Sequence, residues 1–315
     1  MLKKRQLLDS FFLKELDDKE ATLNHMDKEW KMSGIRQIFF NRLIGEVGKP
    51  GYGPGQFMWP SSLTVTTSGE LVVKDSGNDR IQIFSSEGLY KHGFSYEPAT
   101  IKCLGDVKAT REGQLLISNG AKAIKVFAQD GRLIHQLTTS NVNWKHSYGL
   151  SVLPNNDLAV TDWSEQGKVH IMSRDWKENN ILNIDTIEGF YRPTCVAVRK
   201  DDDVLVTEGQ LFGPFEGRCI KVIGKDKTIQ KKIGPTYGSK LNFINPSGIC
   251  VDESGNILVA DKGKNCVVMF NPDLSLSAMV VKQDLQGPCG LCLMQEGYLA
   301  VADCYHHNVK IYQYR

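Results

Sequence analysis

The chain has 315 residues, 41 % of them apolar, and a formal net charge of +2. That is enough to bury one large core or two ordinary ones, and too little charge to announce a nucleic-acid-binding protein on electrostatics alone. No run approaches the roughly 18 apolar residues of a membrane helix, and Asp9 and Glu15 interrupt the opening stretch where a signal peptide keeps an unbroken apolar core. A cytoplasmic location with reduced cysteines is the expectation.

In residues 1–34, Phe12, Leu16, Leu23, Met26 and Trp30 follow a heptad seam broken only by Lys19, with charges at most other positions. Two readings stay open: the stub of a coiled coil that dimerises the chain, or a short amphipathic helix packed under the domain that follows. Next, "IRQIFFNRLIGEVG", Ile35 to Gly48, is a strand-like run with no neighbour of its own. The glycines of "GKPGYGPGQF" lack the following Lys-Ser/Thr and helix of a phosphate loop, so this stretch reads as a hinge.

From there the chain repeats itself. Pro60 and Asp75 stand fifteen positions apart, and so do Leu104 and Asn119, Ser147 and Asp162, Pro193 and Glu208, Pro246 and Asp261, and Pro288 and Asp303. Between them lie two alternating apolar segments, such as "GICVD" and "ILVAD", around a polar turn. The turn places Gly69, Gly113, Asn156, Asp202, Gly255 and Gly297 where a hairpin needs left-handed backbone. A third strand follows each unit ("RIQIF", "AIKVF", "KVHIM", "CIKVI", "CVVMF", "VKIY"), and a weaker fourth follows all but the last. Four strands in about 45 residues, repeated six times, predict an all-β six-bladed propeller over residues 35–315, with blades starting near 59, 103, 147, 192, 245 and 287. The last unit lacks a fourth strand, which the run 35–48 is expected to supply, closing the ring and removing an exposed sheet edge.

The pieces "GPGQFMWPSSLTVTTSGELVVKDSGNDRIQIFSSEG" and "NPSGICVDESGNILVADKGKNCVVMF" closely resemble NHL repeats. The resemblance runs from about Ile35 to Arg315 and loosens in the third and fourth units, where "DWSEQGKVHIM" and "EGQLFGPFEGRCIKVI" replace the usual loop. It implies the C-terminal propeller of tripartite-motif proteins. No RING or B-box cysteine/histidine module is present in this sequence, so ubiquitin transfer is not expected of this chain itself.

Ligands of such rings sit where the loops between second and third strands meet the segments leading into the first strands. The series Asp75, Asp162, Glu208, Asp261 and Asp303, with Asn119 in the remaining unit, is the obvious metal candidate. A residue repeated in every blade serves what every blade needs, so these side chains are expected to cap their loops by accepting backbone N–H bonds. No metal or other cofactor is expected. At the starts of the first strands stand Trp59, Cys103, Ser147, Arg192, Asn245 and Gly287, with no His or Glu among them. His146, His306 and His307 reach this face without a G-x-S-x-G elbow, so no catalytic set is expected. Metal-dependent lyases and lactonases built on six-bladed propellers are the competing class. The C-x-x-C of Cys289 and Cys292 lies in a strand, which points the two thiols to opposite faces and makes them buried small residues.

Aromatic and basic residues interleave on the same face: Trp59, Tyr148, Trp163, Tyr191 and Tyr305 with Lys74, Arg80, Lys122, Arg192, Lys262, Lys264 and His306. Such a mixture makes the hot spots of a protein interface, and it also suits single-stranded RNA, with rings stacking bases and cations tracking phosphates. The resemblance allows both: a substrate-recognition part of a ubiquitin-ligase-type protein, or an RNA reader in post-transcriptional regulation. Low net charge and acids interspersed among the cations favour the protein partner.

Overall fold

The computed structural model describes residues 42–96, 105–121, 123–138, 145–175, 180–209, 218–234, 242–282 and 284–314. The heptad seam of residues 1–34, Cys103 and Lys122 lie outside them.

Six antiparallel sheets of four strands each follow one another along the chain. Blade 1 contains Pro60–Val65, Leu71–Asp75, Arg80–Phe84 and Tyr90–Ser95; blade 2 contains Val107–Ala109, Gln114–Ile117, Ala123–Ala128 and Leu133–Thr138. Blade 3 contains Ser147–Val152, Leu158–Asp162, Gly167–Asp175 and Asn180–Phe190; blade 4 contains Pro193–Val198, Val204–Glu208, Cys219–Ile223 and Ile229–Ile233. Blade 5 contains Pro246–Val251, Ile257–Asp261, Cys266–Phe270 and Leu276–Val281. Blade 6 takes Pro288–Leu293, Tyr298–Asp303 and Asn308–Gln313 from the end of the chain and its outer strand, Arg42–Val47, from the beginning. Val47 pairs with Val309 and Arg42 with Gln313, so the ring closes as the missing fourth strand requires.

The spacing of fifteen is the register of the inner hairpin. Pro60 pairs with Asp75, Ser147 with Asp162, Pro193 with Glu208, Pro246 with Asp261 and Pro288 with Asp303. The six turn residues are all left-handed, Gly69 at φ 84°, Gly113 at 78°, Asn156 at 68°, Asp202 at 66°, Gly255 at 85° and Gly297 at 77°. That is why Gly, Asn and Asp fill that position.

Second strands such as Leu71–Asp75 and Ile257–Asp261 are buried along their whole length, because both faces pack on neighbouring blades. The apolar clusters accordingly straddle seams between blades: Leu258, Leu291 and Tyr312 join blades 5 and 6, and Leu63, Phe84 and Val309 join blades 6 and 1. Hydroxyls of second strands stitch the seams of blades 3 and 4 and of blades 4 and 5 to the next inner strand, Thr161 Oγ1 donating to Thr194 O at 2.7 Å and Thr207 Oγ1 to Ser247 O at 2.7 Å. A single blade has neither set of partners, so the ring rather than the blade is the stable unit.

Candidate recognition face

In five of the six blades the second strand ends on its acid, and the acid turns to the segment leading into its own blade. Asp75 Oδ1 accepts Met58 N–H at 2.8 Å. Asp162 Oδ1 accepts His146 N–H at 2.8 Å, Glu208 Oε1 accepts Tyr191 N–H at 2.8 Å, and Asp303 Oδ1 accepts Gln286 N–H at 2.8 Å. Asp261 holds four amides, Ile244 at 3.0 Å, Asn245 at 2.9 Å, Gly263 at 3.2 Å and Lys264 at 3.3 Å. All five side chains are buried. Burial pushes the carboxyls of Asp75, Asp261 and Asp303 above the usual carboxylate range, against the pull of their amide and cationic partners. Cations complete three of these caps: Arg80 on Asp75 at 2.9 Å, Lys221 on Glu208 at 2.8 Å and Lys310 on Asp303 at 3.2 Å. Among the described residues, no cluster of three His, Cys, Asp or Glu side chains has the arrangement of a metal site.

In blades 1, 4 and 6 the residue before the first strand shares a second feature. Trp59 (φ 55°), Arg192 (φ 48°) and Gly287 (φ 72°) are left-handed. Each turns its N–H back to the loop of the preceding blade: Trp59 to His307 Nδ1 at 3.0 Å, Arg192 to Ser164 O at 2.7 Å, Gly287 to Asn265 Oδ1 at 2.8 Å. The backbone geometry is therefore a seam device that glycine supplies at no steric cost. At Gly287 a Cβ would lie 2.5 Å from the Tyr305 ring, so nothing larger fits. Trp and Arg adopt the same conformation at a cost of about 1–2 kcal/mol, and the following Pro60 and Pro193 restrict them further.

Their side chains build two of three aromatic seams. Between blades 3 and 4 the Arg192 guanidinium lies 5.2 Å from the Trp163 ring centroid and 5.5 Å from that of Tyr191. It also reaches Glu165 Oε1 at 2.7 Å, and His146 meets Trp163 edge-on at 6.4 Å. Between blades 6 and 1, the Trp59 and His307 rings meet at a tilt of 41° with centroids 6.3 Å apart. Between blades 5 and 6, the Lys262 ammonium sits 4.8 Å over Tyr305.

The NHL repeat family profile matches residues 243–270, the blade 5 unit from Phe243 to Phe270. The chain is an NHL-repeat six-bladed β-propeller. It is 28 % identical over 308 residues to the E3 ubiquitin-protein ligase TRIM32 of Homo sapiens, an alignment covering 90 % of this chain and 45 % of TRIM32. To the E3 ubiquitin-protein ligase NHLRC1 of Homo sapiens it is 26 % identical over 275 residues, covering 83 % of this chain and 68 % of NHLRC1. The chain thus spans less than half the length of TRIM32. Among solved structures, a gluconolactonase of Xanthomonas campestris superposes with a TM-score of 0.66 at 14 % identity, covering 82 % of this chain and 87 % of that one. Virginiamycin B lyase of Staphylococcus aureus gives 0.57 at 14 % identity, with 78 % of each chain covered. Likenesses at such identity concern the fold alone.

Within the NHL propeller the interleaved residues separate into groups that a linear pattern does not distinguish. Trp59, Trp163, Tyr191, Arg192, Lys262 and Tyr305 meet in the seams just described, with His306 exposed beside Asp303 at 2.7 Å and Lys264 at the turn capped by Asp261. Lys74 does not belong with them: it is fully buried, with Nζ on Ser76 Oγ at 2.9 Å and 5.1 Å over the Tyr96 ring. It points inward because it is one position before Asp75 on a strand buried on both faces. Arg80 is likewise spent on structure, holding Asp75 and the carbonyls of Tyr52 at 2.8 Å, Gly53 at 2.7 Å and Gln56 at 2.7 Å. Tyr148 lines the central channel. Lys122 lies outside the described residues, and Asn119 caps its own turn through Ala121 N–H at 3.3 Å.

The channel holds two charges that the repeat pattern does not mark. In "GDVKAT" Asp106 and Lys108 face the axis, with Lys108 Nζ 3.8 Å from Asp106 Oδ2. Asp106 ties three blades together, accepting from Ser62 Oγ of blade 1, Val107 N–H of blade 2 at 2.9 Å and Leu150 N–H of blade 3 at 3.0 Å. Two charges alternating in a strand that is apolar or small in the other units were the available signal. Burial pushes the Cys250 thiol up to about 12, with Lys108 opposing and Asp252 adding to the shift, so it is a poor nucleophile.

Proposed function

We propose that this NHL propeller is a non-enzymatic recognition module that holds a protein partner on the face carrying the three aromatic seams. The observation that supports this most is the left-handed pair Trp59 and Arg192. The entries to blades 1, 4 and 6 share that backbone conformation, and Gly287 supplies it in blade 6 without strain. A large aromatic and an arginine at the same position in blades 1 and 4 sacrifice stability for side chains that ring closure does not require. Strain accepted at a position where glycine also serves supports a functional role for these side chains, and Trp, Tyr and Arg are the side chains that dominate protein interfaces.

The relatives named E3 ubiquitin-protein ligases suggest the setting, in which the propeller is the substrate-recognition part of a ubiquitin-ligase-type protein. RNA reading is the weaker alternative, because Lys74 and Arg80 are consumed inside the fold and the remaining cations stand in separate seams. The test is the pair Trp59→Gly and Arg192→Gly. Each removes strain of about 1–2 kcal/mol along with contacts of similar worth, so thermal stability stays within about 1 kcal/mol of wild type. Proteins that crosslink to the wild-type chain in cells are lost. Unchanged crosslinking by both folded variants would remove the face from consideration.

A further inference from the structure

Arg192 is held as a receptor for a carboxylate would be held. Its guanidinium is fixed in orientation by two rings, Trp163 at 5.2 Å and Tyr191 at 5.5 Å from their centroids. Its backbone is anchored to Ser164 O at 2.7 Å. Its side chain is still 21 % exposed, and its Nη2 already carries a carboxylate: Glu165 Oε1 at 2.7 Å, from a side chain 70 % exposed. Glu165 belongs to the loop after Asp162 and has no burial to hold it in place. An ion pair with so exposed a partner is weak, contributing about 0–1 kcal/mol. A partner's carboxylate arriving with its own buried contacts therefore displaces Glu165 at little cost.

We infer that Arg192 is the seat of an acidic side chain from a protein partner, with Glu165 as the internal stand-in that leaves when the partner binds. This rests on the recognition-face reading and specifies the partner's chemistry. The occupant already present is a carboxylate, and a stacked guanidinium is preorganised for the planar fork that carboxylates accept. A nucleic-acid backbone would instead need a row of cations tracking successive phosphates. The described face offers Arg192 in the seam of blades 3 and 4, and Lys262, Lys264 and His306 about that of blades 5 and 6, two separate groups rather than one row. Charges so arranged favour an acidic polypeptide and steer its approach.

The experiment selects binders of the full chain from a short random peptide library and measures the selected peptides by fluorescence anisotropy. Measurements cover the wild type and the Glu165→Gln, Arg192→Gln and Trp59→Ala variants, with thermal melts confirming that each variant folds. The expected result is enrichment of Asp and Glu in the selected peptides. Affinity tightens about two- to fivefold in Glu165→Gln, the worth of the displaced surface pair. It falls about tenfold or more in Arg192→Gln, the worth of a charge-assisted contact, and each enriched acid replaced by its amide loses as much. Selected peptides that weaken with Trp59→Ala but ignore both Glu165→Gln and Arg192→Gln would overturn the carboxylate seat and leave the recognition face standing. Peptides indifferent to all three variants, or a selection that returns no binder, would overturn both. Tight, salt-dependent binding of a short single-stranded RNA that Arg192→Gln abolishes would put a phosphate in the seat and overturn the acidic-protein assignment.

Discussion

Replacing Asp261 separates what its charge does from what its oxygens do. The side chain is 1 % exposed and accepts four backbone amides. Burial nevertheless lifts its pKa, so desolvation outweighs the help of Lys264 and the amides, and the negative charge is not what stabilises the cap. The oxygens are. Oδ1 serves Asn245, Gly263 and Lys264, and Oδ2 serves Ile244. Asp261→Asn keeps Oδ1 and turns an NH2 toward Ile244 N–H, leaving one donor unpaired at a cost of about 1–2 kcal/mol. Asp261→Ala removes all four acceptor contacts. At about 1–3 kcal/mol per buried amide left without a partner, moderated by water reaching the turn, the loss is about 3–5 kcal/mol. In urea unfolding the alanine variant should lose two to three times the stability that the asparagine variant loses, with Tm lower by roughly 2–4 °C per kcal/mol. Equal losses would place the effect in the charge, and a loss below about 0.5 kcal/mol in the alanine variant would remove the capping argument altogether.

Stability should fall as pH drops below neutrality. Burial depresses the pKa of His170, where Lys168 adds to the effect and Asp162 opposes it, and of His307, where His306 adds and Asp303 opposes. A depressed histidine stabilises fully above its unfolded pKa of about 6.5 and loses that contribution as pH falls through the folded value. Thermal melts from about pH 7.5 to about pH 5.5 check this, and His307→Asn should make the slope shallower. Asp75, Asp261 and Asp303 have raised pKa values and act in the opposite sense, so at more acidic pH they partly offset the fall. Arg80→Ala leaves Asp75 buried without its cation and should cost about 3–5 kcal/mol by urea unfolding. Lys74→Met replaces a buried ammonium by an apolar chain of similar volume, so it should cost less than about 1–2 kcal/mol and leave partner crosslinking unchanged.

The ring was legible because propellers write their geometry as spacing. Fifteen residues separate partners across the inner hairpin, and the residue nine positions after each anchor needs left-handed backbone, so Pro246, Gly255 and Asp261 are fixed relative to one another. Closure by the N-terminal run followed from counting strands. The site was less legible because period two says which side of a strand a residue faces and not what covers that side. Lys74 and Lys262 lie one position either side of a repeated aspartate, yet one is buried on a two-sided strand and the other lies on the Tyr305 ring of the next blade. The pairing of Arg192 with Trp163, Tyr191 and Glu165 depends on how far the blade 3 loop leans toward blade 4, a tertiary distance with no linear signature. Asp106 and Lys108 were visible as charges out of place in an inner strand, but their meaning needed the axis on which six inner strands converge.

The most direct test places a photocrosslinking side chain at Lys262 on the face, and at Leu133 or Leu182 on the exposed outer strands, and compares what each captures in cells. Protein adducts should form from the face position and disappear when Arg192→Gly is added, with few from the outer strands. Adducts confined to the outer strands, or face adducts that consist of RNA, would contradict the recognition-face reading.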